Sequence, residues 1–580
     1  MIKMRKLDSK IFLIGIVFLF LPLFVSADYG GQKTQFFVDS AYDLEGRQEI
    51  DATLLRITPR LYFYLDDGWW DSLSEQDKFK AKLSIQELGK EFEDNIYLSL
   101  ISVFGSEWKP GIDDDDKITV LIHPMISQAG GYFNNGDEYA TARNPRSNKR
   151  EMIYLNAYHL NTDLAKGFLA HEFVHLITFN QKERRYGVQE KTWLNEARAE
   201  YAPTLVGYDS KGGDSNLNRR IRDFLRDPSN SFIDWENEKA DYGVLNLFVQ
   251  YLVDQYGIEI LADSLHSSKT GISSLNYALS ENGFEQDFDD VFDDWIIAVL
   301  VNDCDLGETY CYLNPVLKNF KLIPSINFLP LTGESSLSLS ETTNKWSGNW
   351  YKFIGGWGTL KVEFVGSPST NFRVAYITQD LAGNQSLDFF DLNDYQKGEI
   401  SVSDFGKNIT SLIIIPSVQD KLAENSKTIY PFFWRASTEE SEEGSSSGSS
   451  QTQDIQEILD KIEVLEKQLV DLRGELQILL GAEASTEGEY VHSCSSINQN
   501  LAYGIRNNAV TCLQEFLKAQ GEEIYPEGFV TGFFGNLTRQ AVVRFQEKYA
   551  DEILAPLELS AGTGFVGPST RAKINEMINK

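Results

Sequence analysis

The stretch His171-Glu172-Phe173-Val174-His175 restricts the fold of this chain more than any other. Residues four apart on a helix share a face, so the two imidazoles point the same way. Leu164, Phe168, Leu169, Phe173, Leu176 and Ile177 recur around them at helical spacing, which predicts an amphipathic helix with a buried stripe. Asn161-Thr162-Asp163 offers capping residues just before it. Two imidazoles and a carboxylate in the middle of a buried helix are costly unless they find partners. A metal ion is the cheapest partner, and two imidazoles at this spacing can hold one Zn²⁺ with room for water. Glu172 is close enough to take a proton from that water. The segment Trp193-Leu194-Asn195-Glu196-Ala197-Arg198-Ala199-Glu200 follows, and Glu196 can supply a third ligand from a second helix, leaving a fourth position open. Histidine is rare, with six in 580 residues, so the spacing does not arise from a histidine-rich composition.

These segments resemble the gluzincin metallopeptidases, and within them the hyicolysin-type branch. That branch has a His-Glu-x-x-His-x-x-x-x-Asn helix, a Trp-Leu-Asn-Glu ligand segment and a later Asp-Tyr-Gly that opens a helix. Here they read His171 to Asn180, Trp193 to Glu196, and Asp241-Tyr242-Gly243. The resemblance covers most of residues 35 to 300 and departs at Ala197, where Gly is frequent, and at Glu200, where some relatives carry Asp. It implies an α+β zincin catalytic domain, with a five-stranded-type sheet and active-site helices. It also implies Zn²⁺ on His171, His175 and Glu196, Glu172 as the catalytic acid–base group, and Glu200 orienting a histidine ligand. Tyr242 is the first candidate for stabilising an oxyanion, with Arg198 and Tyr201 behind it and a core tyrosine as the alternative. Met152-Ile153-Tyr154-Leu155, read as a strand, corresponds to the strand that edges the cleft and pairs with extended substrate in gluzincins.

The chain begins with Lys3, Arg5, Lys6 and Lys10, an apolar run from Ile11 to Val25, and Val25-Ser26-Ala27. That is the pattern of a secretory signal peptide over residues 1–27, with an uncleaved anchor as the alternative. The expected location is secreted or extracellular. Four cysteines fit export: Cys304 with Cys311, and Cys494 with Cys512, are the expected disulfides. A net charge of −32 argues against nucleic acid or an anionic membrane surface as partner.

Within the expected catalytic domain, residues 28–323, Phe36-Phe37-Val38, Leu61 to Tyr64 and Ile118 to Ile122 read as strands, and Glu75 to Phe104 as helix. Asp113, Asp114, Asp115 and Asp116 form an acidic loop that reads either as a Ca²⁺ site or as a solvated turn. Residues 324–435 alternate in short runs, such as Leu360 to Phe364 and Phe372 to Tyr376, and predict a small antiparallel β-sandwich. Trp346, Trp350 and Trp357 read as packed core and rim, or as a carbohydrate platform. Residues 436–452 are a Ser/Glu/Gly-rich linker.

Over residues 453–481, Ile455, Ile462, Leu469 and Leu476 take a positions, and Ile458, Leu465, Leu472 and Leu479 take d positions. This predicts a coiled coil and a homo-oligomer, or a helix folding back on its own chain. Residues 482–580 predict a small α-helical domain that resembles the peptidoglycan-binding domain of bacterial cell-wall enzymes. The matching elements are Gly504, Val510, Leu513-Gln514, Gly532, Phe534-Gly535, Thr538, Ala541-Val542 and Phe545-Gln546. Thr531 stands where that family often has Asp, and Asn507 where it often has Gly. Part of the pattern recurs, as TGFFGNLTR from Thr531 and TGFVGPSTR from Thr563.

The expected function is therefore a secreted, cell-wall-associated zinc endopeptidase acting on protein or peptide substrates, with bacterial peptidoglycan as its wall partner. The alternatives are hydrolysis of peptidoglycan cross-links and a non-catalytic surface-binding protein on a peptidase scaffold.

Overall fold

The computed structural model describes residues 27–209, 215–330, 335–368, 370–419, 429–439 and, with short gaps, much of 496–578. The expected signal peptide apart from its last residue, the coiled coil over 453–481 and Cys494 lie outside the described residues. The chain divides into two units, residues 1–445 and 446–580.

The first unit opens on a sheet of β1 (Lys33–Phe37), β2 (Glu49–Ile57), β3 (Leu61–Asp66), β4 (Ile118–His123), β5 (Gly131–Tyr132) and β6 (Met152–Asn156), in the order β1-β2-β3-β4-β6-β5. It has six strands, one more than the five-stranded type expected, with the two-residue β5 at one edge. β3, β4 and β6 run parallel, and β5 runs antiparallel to β6. The three parallel strands are buried along their whole length, which is why they read as unbroken apolar runs rather than as an alternation. Phe63, Leu65, Val120, Ile122, Ile153 and Leu155 face a helical core. Tyr62, Tyr64, Leu121, Met152 and Tyr154 face a smaller core closed by Phe36 and Tyr132.

The helical layer comprises α1 (Asp67–Ser72), α2 (Glu75–Glu91), α3 (Tyr97–Phe104), α4 (Leu164–Thr178), α5 (Thr192–Leu205), α6 (Asn216–Arg226), α7 (Lys239–Tyr256), α8 (Glu259–Leu265), α9 (Ile272–Glu281) and α10 (Phe288–Val301). The helix expected over Glu75 to Phe104 is α2 and α3 joined by a π-helical turn, Phe92–Ile96. Asp163 stands at the N-cap of α4 without a side-chain cap bond. After α10 a disulfide joins Cys304 and Cys311, as the sequence predicts.

The strands beyond residue 324 are β7 (Ser325–Leu329), β8 (Ser335–Asn344), β9 (Tyr351–Gly355), β10 (Gly358–Gly366), β11 (Phe372–Asp380), β12 (Gln385–Phe389), β13 (Lys397–Phe405), β14 (Ile409–Val418) and β15 (Ile429–Glu439). They form one hydrogen-bonded sheet of nine strands rather than the two separate sheets of the expected sandwich. Continuity comes from β14, which pairs with β11 along its length, with β9 over Ser411–Ile414 and with β13 at Ile409. Two parallel pairings, β7 with β9 and β13 with β14, also depart from the antiparallel expectation.

β14 is buried on both faces. Leu412 and Ile414 enter the core inside this sheet, whereas Ile413 and Ile415, with Ala375 and Ile377, join the helical core. Trp346 and Trp350 belong to that junction: Trp346 packs against Phe288 at 4.8 Å, and Trp350 Nε1 donates to the Ile296 carbonyl at 2.9 Å. Both are core residues, while Trp357 is 48% exposed. β15 runs to Glu439, so residues 436–439 are strand rather than the linker expected there.

In the second unit, helices span Asn508–Ala519, Asn536–Lys548, Ala550–Ile553 and Pro568–Ile578 around Leu513, Leu517, Phe534, Ala541, Val542, Phe545, Val566 and Ile574. The sequence repeat has a physical basis. Gln514 accepts from Gly532 N–H at 2.8 Å and donates to Thr538 Oγ1 at 2.8 Å. Gln546 accepts from Gly564 N–H at 2.9 Å and donates to Thr570 Oγ1 at 2.9 Å. Each buried amide ties a glycine turn to the first turn of the following helix.

Candidate metal centre

α4 carries His171 and His175 on one face, and α5 packs against it with Glu196 one turn before Glu200. His171 Nε2 and His175 Nε2 lie 3.3 Å apart. Glu196 Oε2 is 3.3 Å from His171 Nε2, and its Oε1 is 3.6 Å from His175 Nε2. Among the described residues this is the one group of three such side chains whose donor atoms all lie within 4.8 Å of one another. Two ring nitrogens facing each other and a carboxylate make the donor set that Zn²⁺ takes. Glu196 Oε2 is buried with no hydrogen-bond partner, an orphaned acceptor that a cation would satisfy. The residues present therefore fit the metal.

Burial disfavours the His171 imidazolium, yet the Glu196 carboxylate 3.3 Å away and the charges of Glu172 and Glu200 lift its pKa to about 9. Burial lowers that of His175. Burial is also the main cause that lifts Glu172 to about 8, reinforced by the negative charges of Glu196 and Glu200. A carboxyl raised this far is suited to holding and releasing a proton near neutral pH.

Glu200 stands behind the ligands, with Oε1 3.5 Å from His171 Nδ1. Burial alone would push its pKa up, but the Arg220 guanidinium overrides that and holds it at about 2. Asn216 Nδ2 at 3.0 Å and Asn246 Nδ2 at 3.2 Å complete its surroundings. A fixed carboxylate at Nδ1 keeps Nε2 directed at the metal position.

Arg220 comes from α6, which lies close against α7 because of Gly243. A Cβ there would sit 2.3 Å from the Phe224 backbone nitrogen. In the same Asp-Tyr-Gly segment, Asp241 closes a capping box with Glu238 at the start of α7. Tyr242 lines the cleft, donates to Asn237 Oδ1 at 2.8 Å and lies under Arg220 at 4.4 Å. Burial raises the pKa of Tyr242, so the phenol keeps its proton as a donor.

The cleft has a cavity of about 220 Å³. Glu172, His171, His175 and Glu196 line it, as do Gly131, Tyr132 and Tyr42. The cleft edge is β5 rather than β6, which the sequence reading had placed there; β6 is interior, between β4 and β5. Gly131 permits this arrangement. A Cβ on it would lie 2.6 Å from the Tyr154 carbonyl and 3.1 Å from Glu172 Cγ, so only glycine fits between β6 and α4. Tyr42 follows β1, and nothing local in the sequence marks it.

Other candidates are placed elsewhere. Arg198 is fully buried and donates to Glu190 at 2.8 Å and Ser264 Oγ at 2.8 Å, so it cannot serve the cleft. Tyr201 packs against the helical core and is absent from the cleft lining. Asp113, Asp114, Asp115 and Asp116 do not bring three oxygens within reach of one another. Asp115 instead accepts from Tyr62 Oη at 2.8 Å and from Lys117 N–H at 3.1 Å, and Asp114 and Asp116 are exposed. Of the second expected disulfide, Cys494 lies outside the described residues.

No family model matches this sequence, and no curated protein matches it. Among solved structures, a periplasmic inhibitor of g-type lysozyme from Aeromonas hydrophila is 14% identical, over 20% of this chain and 98% of that one, with a TM-score of 0.14. A family GH115 4-O-methyl-α-glucuronidase specific for decorated arabinogalactans is 8% identical, over 55% of this chain and 51% of that one, with a TM-score of 0.11. Likenesses of this size carry no argument about the site. No helix among the described residues is long and apolar enough to cross a membrane.

Proposed function

We propose that this chain is a zinc-dependent endopeptidase that cleaves peptide bonds of proteins outside the cell. The reading rests on one observation: the donor atoms of His171, His175 and Glu196 share one position at the floor of a cleft that Glu172 also lines. A Zn²⁺ held there supplies a Lewis acid that acidifies water and polarises a carbonyl.

The chain's own groups do the rest. Glu172 takes a proton from water and returns it to the leaving amine nitrogen. Tyr242 donates a hydrogen bond to the carbonyl oxygen as negative charge builds on it. Glu200 and Arg220 keep the His171 ring in one orientation. The edge of β5 offers backbone groups to an extended peptide. The sequence of the second unit, read as a peptidoglycan-binding module, supports a location at the bacterial cell wall.

Metal analysis of the purified protein, with casein hydrolysis by wild type and Glu172→Gln, tests the reading. Bound zinc in both proteins and loss of hydrolysis in the variant are expected. Near-normal hydrolysis by the variant, or no zinc in either protein, overturns it.

A further inference from the structure

Glu138 ends the short turn Asn135–Glu138 after β5, and Glu151 immediately precedes β6. Each is 2% exposed. Both carboxylate oxygens of Glu138, and Oε2 of Glu151, are buried without a hydrogen-bond partner. The two carboxyls face each other at hydrogen-bonding range, with Asp113 and Asp137 adding further negative charge.

Neighbouring cations are engaged elsewhere, Arg143 over the Tyr139 ring at 3.7 Å and Arg184 over the Trp108 ring at 4.1 Å. Arg150 is paired with Asp28. Asp137 is satisfied by Tyr154 Oη at 2.6 Å and Asn148 N–H at 2.7 Å. The backbone is also shaped around the Glu151 carboxylate. Ile112 N–H donates to Oε1 at 2.8 Å, and Gly111, at φ +91°, runs so close that an added Cβ would overlap Oε2.

We propose that Glu138 and Glu151 together hold a hard divalent cation of the calcium type, in a site separate from the one formed by His171, His175 and Glu196. Two apposed buried carboxylates without a cationic side chain between them are costly, and a cation removes the repulsion and satisfies the orphaned oxygens. Calcium takes roughly six to eight oxygens, so the pair leaves places for water and backbone carbonyls. A cavity of about 410 Å³, lined by Glu138 with Trp108, Tyr139, Arg143 and Arg184, lies beside the pair. The ion would cross-link the segment after β5, whose Phe133 and Asn135 line the catalytic cleft, to the loop at Gly111. The exposed Asp114 and Asp116 take no part.

The test uses the full chain after EGTA treatment and restoration of zinc. Ca²⁺ is titrated by calorimetry and thermal unfolding, and Tb³⁺ by luminescence excited through tryptophan. One Ca²⁺ per chain, a raised melting temperature and sensitised Tb³⁺ emission are expected. Glu138→Gln and Glu151→Gln should each weaken Ca²⁺ binding tenfold or more with zinc content unchanged, while Asp114→Asn with Asp116→Asn should leave it intact. The proposal is overturned by absence of heat, thermal shift and Tb³⁺ emission in the wild type. It is equally overturned by unchanged binding in both glutamate variants, or by loss of binding in the aspartate variant. Should the glutamate variants not fold, the wild-type titration decides.

Discussion

Arg220 grips Glu200 with two hydrogen bonds, Nε to Oε2 at 2.9 Å and Nη2 to Oε1 at 2.6 Å. The pair links α6 to the metal centre, since Glu200 in turn faces His171 Nδ1. Removing a group that orients a ligand typically costs roughly 10–100-fold in metal affinity. On the proposed function, Arg220→Met should therefore weaken zinc binding by about that factor, although Arg220 is not among the three grouped donors. Competition with a chromogenic chelator measures it; unchanged affinity would mean that Glu200 holds its place without the guanidinium.

Tyr242→Phe removes the one hydroxyl from this residue at the cleft and keeps the ring under Arg220. Loss of an oxyanion donor costs roughly 10²–10³ in kcat. A fall of that order with KM little changed is expected from steady-state kinetics on a peptide substrate. A change confined to KM would assign Tyr242 to substrate binding instead.

Gly131→Ala places a methyl group against the Tyr154 carbonyl and Glu172. Both neighbours are held, one by the sheet and one by α4, so the edge strand must shift. Lower kcat/KM with zinc content unchanged is expected, read from parallel kinetics and metal assay. Gly187, with nothing near its Cβ position, is the control, although its φ of +68° carries a backbone cost of its own.

The Glu138–Glu151 pair makes stability depend on pH. Burial lifts Glu151 from 4.5 to about 7, and burial with the Glu151 charge lifts Glu138 in the same direction. Both acids bind protons more tightly in the folded chain than in the unfolded one. The stabilising contribution of Glu151 is therefore complete below about pH 4.5 and is lost as pH rises through about 7, and that of Glu138 is likewise lost with rising pH. In EGTA, denaturant unfolding should show stability falling across that window in the wild type, with a shallower slope in Glu151→Gln. Equal slopes would remove the pair as the cause.

The grouping of His171, His175 and Glu196 is legible in the sequence because each residue sits in a short local pattern: the two histidines one turn apart, Glu196 and Glu200 one turn apart on the next helix. Helix geometry alone brings such residues to one face. Arg220, Tyr42 and Gly131 escaped notice because their roles come from packing between distant segments, which no single window records. The same reason explains the misplaced cleft edge. Met152 to Leu155 is a strong apolar strand, whereas the two residues of β5 are too few to show any period. The continuity of the nine-stranded sheet was hidden likewise, since strand pairing is a non-local property.

β14 has one flank in each of two cores, with Ile413 and Ile415 in the helical core and Leu412 and Ile414 in the core inside the nine-stranded sheet. Cutting the chain near residue 323 would strip that cover from α10 and leave a greasy scar. The smallest fragment able to stay monodisperse should therefore end just past Glu439.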